Sequence, residues 1–69
     1  MPLTLLKAGD SGVITRIGGK AETRAFLEGL GFVVGATVTV VNEIDGNVIC
    51  KVMDARVAIS KQMAQKIFV

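Results

Sequence analysis

Cys50 is the only thiol in the chain, and no histidine accompanies it. Thiol catalysis requires a thiolate, and the usual activator is a neighbouring imidazole, so the sequence offers no nucleophile–base pair. Histidine is also the commonest general acid–base group, and its absence leaves proton-transfer chemistry without its usual agent. Cys50 stands between Ile49 and Val52 in an apolar run, where a buried, inert thiol is the expectation. The carboxylates Asp10, Glu22, Glu28, Glu43, Asp45 and Asp54 are scattered, and none pairs with another at helical spacing. A transition metal needs converging imidazole, thiolate or carboxylate ligands, so neither a tight metal site nor a cofactor is expected. Asp45 and Asp54 could offer a weak exposed carboxylate site, but a turn role explains both better.

The remaining chemical motifs are equally sparse. Gly9, Gly12, Gly18 and Gly19 are followed by no Gly-Lys-Ser/Thr and open no Gly-x-Gly-x-x-Gly helix, so they are turn residues rather than a phosphate cradle. The chain lacks Trp and Tyr. It therefore has no aromatic groove for proline-rich peptides and no stacking platform for single-stranded nucleic acid. Its three phenylalanines, Phe26, Phe32 and Phe68, are needed in the core.

Sixty-nine residues make one domain, spanning 1–69, near the lower size at which an apolar core suffices without disulfides. A hydrophobic share of 51% excludes a disordered chain, and the core must come from Val, Ile, Leu and Ala. One cysteine cannot form an internal disulfide, and Lys7 and Asp10 interrupt the apolar start before a signal peptide could form. A reducing cytoplasm is the expected setting. The uncharged stretch Gly29 to Asn42 is shorter than the roughly 20 apolar residues of a membrane helix, and Gly31 and Gly35 break it, so the chain is not expected to span a bilayer. Five lysines and three arginines against six acids leave a net charge of +2, spread without a basic tract. That pattern reads as a solvated surface rather than a nucleic-acid footprint.

The organising segment runs from Arg24 to Val40, where helical spacing gives way to strand alternation through Gly29, Gly31 and Gly35. Phe26 and Leu30 lie four apart and Leu27 and Leu30 three apart, which gathers the large apolar side chains on one helical face, with Arg24 and Glu28 able to pair outside it. The helix is predicted over Lys20 to Leu30, with Gly31 as a left-handed terminator. From Ala36 the period becomes two, with Val38 and Val40 opposed to Thr37, Thr39 and Val41. Asp45-Gly46-Asn47 predicts a hairpin joining Thr37–Ile44 to Val48–Met53. Met53 to Arg56 makes a weaker turn into Val57–Ile59. Val13 to Ile17 predicts a first strand, Ser60 caps a short helical turn, and Ile67 to Val69 closes the barrel. These elements predict a mostly β fold: a small, partly open SH3-like barrel of about five strands with an inserted helix.

The ordered set Leu3, Leu6, Gly9, Gly12, Ile14, Ile17, Arg24, Leu27, Leu30, Gly31, Gly35, Val38, Ala58-Ile59, Met63-Ala64 and Ile67-Phe68-Val69 covers almost the whole chain. In order and spacing it resembles the ferrous iron transport protein A (FeoA) family, and the related C-terminal domain of iron-dependent repressors of the diphtheria-toxin-repressor type. The chain departs from the family pattern at Val34, where proline is frequent, and at Asp54-Ala55, where glycine is frequent. Valine suits an extended segment, and Asp54 can make the turn through its own side-chain hydrogen bond.

The resemblance implies a cytoplasmic accessory protein that regulates or assembles with ferrous iron transport protein B, the membrane permease with a guanine-nucleotide-binding domain. No enzymatic activity is expected of it. For docking, the inserted helix and its glycine exit point to Leu27, Leu30 and Phe32, with Met63 as a further candidate, each of them competing with a plain core role. A Leu27→Asp or Phe32→Asp variant that stays folded would mark exposed anchors, whereas unfolding would assign the residue to the core. A small basic RNA-binding barrel is the alternative, identified by a steep salt dependence. An isolated repressor-type domain binding a proline-rich segment is disfavoured because no DNA-binding region is present. Exposed barrel edges permit homo-oligomers.

Overall fold

A computed structural model describes residues 1–69. A 3-10 turn at Leu3–Leu5 leads into β1 (Ser11–Val13), β2 (Arg16–Ile17), α1 (Ala21–Gly29), β3 (Thr37–Ile44), β4 (Asn47–Val52), β5 (Ala55–Ser60), α2 (Lys61–Ala64) and β6 (Ile67–Phe68). The strands β1-β3-β4-β5 form one antiparallel sheet, and β2 with β6 forms a separate antiparallel ribbon.

The single strand expected over Val13 to Ile17 is two, because the chain changes sheets at Ile14. That side chain is 1% exposed. Its N–H donates to the Ala36 carbonyl at 2.9 Å, and its carbonyl accepts from the Gly35 N–H at 2.8 Å, so the backbone is held by the approach to β3 instead of by a strand partner. One residue later the Thr15 N–H donates to the Phe68 carbonyl at 2.8 Å, which starts the pairing with β6.

Both hairpins close through two-residue turns with left-handed backbones, whose twist matches that of the strands. Asp45 and Gly46 (φ 50° and 79°) join β3 to β4, as the sequence predicts. Met53 and Asp54 (φ 51° and 62°) join β4 to β5 without any glycine, and the Asp54 carboxylate takes no hydrogen bond. The backbone of both residues makes that turn, not the expected side-chain bond.

Val38, Val40, Val48, Cys50, Val52 and Ile59 point inward from the larger sheet. Between Val40 and Asn42 the register slips by one residue, leaving Val41 as a bulge and turning Ile44, 51% exposed, outward. Leu3, Ile14, Leu27, Phe32, Ala64 and Ile67 complete a core of twelve buried residues that contains no charged or polar side chain. Ser60 caps α2, its Oγ accepting from the Met63 N–H at 3.2 Å.

Candidate functional site

The helix α1 occupies Ala21–Gly29 and ends in a paired hydrogen-bond motif. The Gly31 N–H donates to Glu28 and the Phe32 N–H to Leu27, each at 3.0 Å. Gly31 adopts φ 106°, which a side-chain-bearing residue rarely tolerates. This closure brings an apolar residue beyond the helix end against one in its last turn. Here the two are Phe32 and Leu27, both 0% exposed. The sequence-based assignment of Leu27 and Phe32 as surface anchors is therefore corrected: the helix exit folds them into the core.

Leu30 and Met63 remain half-buried and pack against that core. Met63 lies on α2, which packs against the 3-10 turn, β4 and β5. Phe26, which shares a helical face with Leu30, is 52% exposed. The β4–β5 turn supplies a further apolar side chain. Met53 is 65% exposed, and a Cβ built on Gly31 would lie only 3.0 Å from its Cγ. Phe26 and Leu30 share one face of α1, and Met53 stands beside Gly31, where that helix ends. Met53 is also the one apolar side chain among the three non-glycine residues with positive φ. Such a conformation costs about 1–3 kcal/mol and tends to persist where function retains it. The core role expected for Phe26 is corrected by its exposure, which follows from its place on α1 away from buried Leu27, and no local signal announced the left-handed Met53.

The opposite flank of α1 is polar. Arg24 and Glu28 line an open cleft of about 260 Å³ with Thr15, Arg16, Ile17, Val33 and Val34. The pairing of Arg24 with Glu28 allowed by their spacing does not form; the single salt bridge joins Glu43 and Lys61 at 2.7 Å across exposed surface. Arg16 instead lies over the Phe68 ring, 4.0 Å from its centroid.

Cys50 is buried, and desolvation pushes its thiol up to about 11. A thiol so disposed stays protonated and unreactive at neutral pH. No three His, Cys, Asp or Glu side chains come together as a metal cluster. Asp45 and Asp54 both serve their turns through the backbone. No helix is long and apolar enough to cross a membrane.

A closed apolar core, a partly open two-sheet barrel and an exposed apolar flank define a small SH3-like domain. The FeoA domain model matches residues 1–69, and the chain belongs to the FeoA family, which is associated with ferrous iron transport. A crystal structure described as an iron uptake regulatory protein (FeoA) is 31% identical with a TM-score of 0.89, over 97% of this chain and 91% of that one. The FeoA protein from Chlorobium tepidum is 26% identical with a TM-score of 0.90, over 99% of this chain and 67% of that one. A manganese-dependent transcriptional repressor shares the fold at 22% identity and a TM-score of 0.89, with this chain spanning 40% of its length. No curated protein matches the sequence.

Proposed function

We propose that this protein is a cytoplasmic accessory subunit of ferrous iron uptake, and that it docks on the cytoplasmic nucleotide-binding part of ferrous iron transport protein B. The observation that carries the reading is the exposure of two large apolar side chains, Phe26 on α1 and Met53 beside the Gly31 exit of that helix, outside a closed core. Interfaces draw most of their affinity from a few such apolar anchors once water is excluded around them. A Met at the tip of a rigid hairpin can adapt its flexible thioether to a partner's shape. Half-buried Leu30 anchors the flank to the core, and Met63 is a second, separate contact candidate.

The test is anaerobic uptake of ferrous ion in a host lacking the gene, with the wild type or variants restored. Phe26→Asp and Met53→Asp should keep the amide spectrum of a folded barrel yet fail to restore uptake and fail to retain the permease's soluble nucleotide-binding part on a column. Leu27→Asp serves as the contrast, since it should unfold the domain. Full rescue by both surface variants would remove the reading.

A further inference from the structure

We propose that the cleft between β2 and α1, on the far flank from Phe26 and Met53, holds an extended peptide segment through one of its carboxylates. The lining contributes two guanidinium groups, Arg16 and Arg24, against one carboxylate, Glu28. No acid lies within ion-pairing distance of either arginine. One net positive charge is left in the cleft, and one ligand carboxylate neutralises it. Arginine's planar fork suits this task because it meets both carboxylate oxygens at once.

Arg16 is already positioned. Its guanidinium stacks on Phe68 at 4.0 Å, and its terminal nitrogen lies 3.8 Å from where a Cβ on Gly18 would stand. Such stacking removes part of the rotamer freedom that a ligand would otherwise have to freeze. Arg24 and Glu28, one helical turn apart, form the other wall.

The backbone makes a peptide the fitting ligand rather than a free small acid. β2 pairs only with β6, so its other edge is open. The Gly18 N–H donates toward β6, to Lys66 at 2.6 Å. Alternation along the strand then turns the N–H and carbonyl of Ile17 the other way, on the cleft side, where an added strand could bond them. Ile17, Val33 and the exposed Val34 give apolar lining for side chains flanking the carboxylate. The site lies apart from the proposed permease-docking flank and does not depend on it.

Phage displaying random heptapeptides, selected on the immobilised full chain, provide the probe. Enriched peptides should carry Asp or Glu next to an apolar residue. Synthetic copies should shift the amide resonances of Arg16, Ile17 and Val34. Arg24→Gln, with its spectrum otherwise intact, should weaken binding about tenfold, matching the loss of a charge-assisted fork. Arg24→Lys should fall between, and exchanging the peptide's acid for its amide should mimic Arg24→Gln. Met53→Asp should leave this binding unchanged, which separates it from the docking reading. No enrichment, enrichment without an acidic residue, or affinity indifferent to Arg24→Gln would each overturn the proposal.

Discussion

The amide of Phe32 donates to the carbonyl of Leu27 at 3.0 Å, so the residue that leaves α1 is bonded to the residue it packs with in the core. Gly31 makes the reversal at φ 106°, and a Cβ there would meet Met53 at 3.0 Å. Gly31→Ala is expected to cost about 1–3 kcal/mol through backbone strain alone. Leu27→Ala should cost about 2–5 kcal/mol through the cavity it leaves. Urea unfolding midpoints check both, and a Gly31→Ala midpoint equal to wild type would contradict the closure described.

Gly12 and Val69 meet where β1 approaches the end of the chain. A Cβ on Gly12 would fall 2.8 Å from the Val69 Cβ, closer than folded proteins tolerate. Gly12→Ala should therefore destabilise by about 1–3 kcal/mol as an overpacking change. If the contact is the cause, Val69→Gly, which removes that Cβ, should relieve much of that penalty in the double variant. A double-mutant cycle in urea measures the coupling, and simple additivity would point to a different origin.

Most of the fold was legible because local rules and burial agree. Alternation at Val38 and Val40, the Asp45-Gly46 turn, the Ser60 cap and the Gly31 terminator all appear where the residue types place them. What was not legible depends on contacts between distant segments. Ile14 breaks the first strand because Gly35 and Ala36 bond its backbone, a pairing that no spacing within Val13 to Ile17 encodes. Leu27 and Phe32, offered as docking candidates against a plain core role, fall to the core role for a related reason. The glycine exit looked like a protrusion in sequence, but its hydrogen bonds fold it back onto the core. Phe26 was expected in the core and is exposed, because spacing alone groups it with Leu30 without saying which part of that face the sheet covers, and Met53 reaches Gly31 only through the hairpin geometry.

Cys50 links stability to alkaline pH. Burial pushes its thiol up to about 11 from 9.0, so above pH 9 the unfolded chain loses a proton that the folded chain retains. The unfolded state then binds fewer protons, and stability falls as pH rises. The contribution is fully present below pH 9 and is lost by about pH 11. Urea midpoints measured across that window should decline for wild type more than for Cys50→Ala, after correction for the variant's constant cavity cost. Parallel slopes for the two proteins would exclude the thiol as the source.

The β4–β5 turn allows stability and docking to be separated. Met53 and Asp54 both hold left-handed conformations that Asn-Gly adopts more readily, and neither side chain belongs to the core. The double substitution Met53→Asn with Asp54→Gly should leave the hairpin register intact and stabilise the domain by about 1 kcal/mol, through relief of backbone strain. The same change deletes the most exposed apolar side chain beside Gly31. If that flank docks on the permease, the stabilised variant should bind the permease's nucleotide-binding part about tenfold or more weakly, as for loss of an interface anchor. A destabilising anchor mutation always leaves partial unfolding as a rival explanation for lost binding. A variant that melts later and binds worse removes that rival, because its folded population has increased. A thermal melt and a binding isotherm on the same sample decide the matter: a higher melting temperature with unchanged affinity would show that Met53 is strained for some reason other than docking.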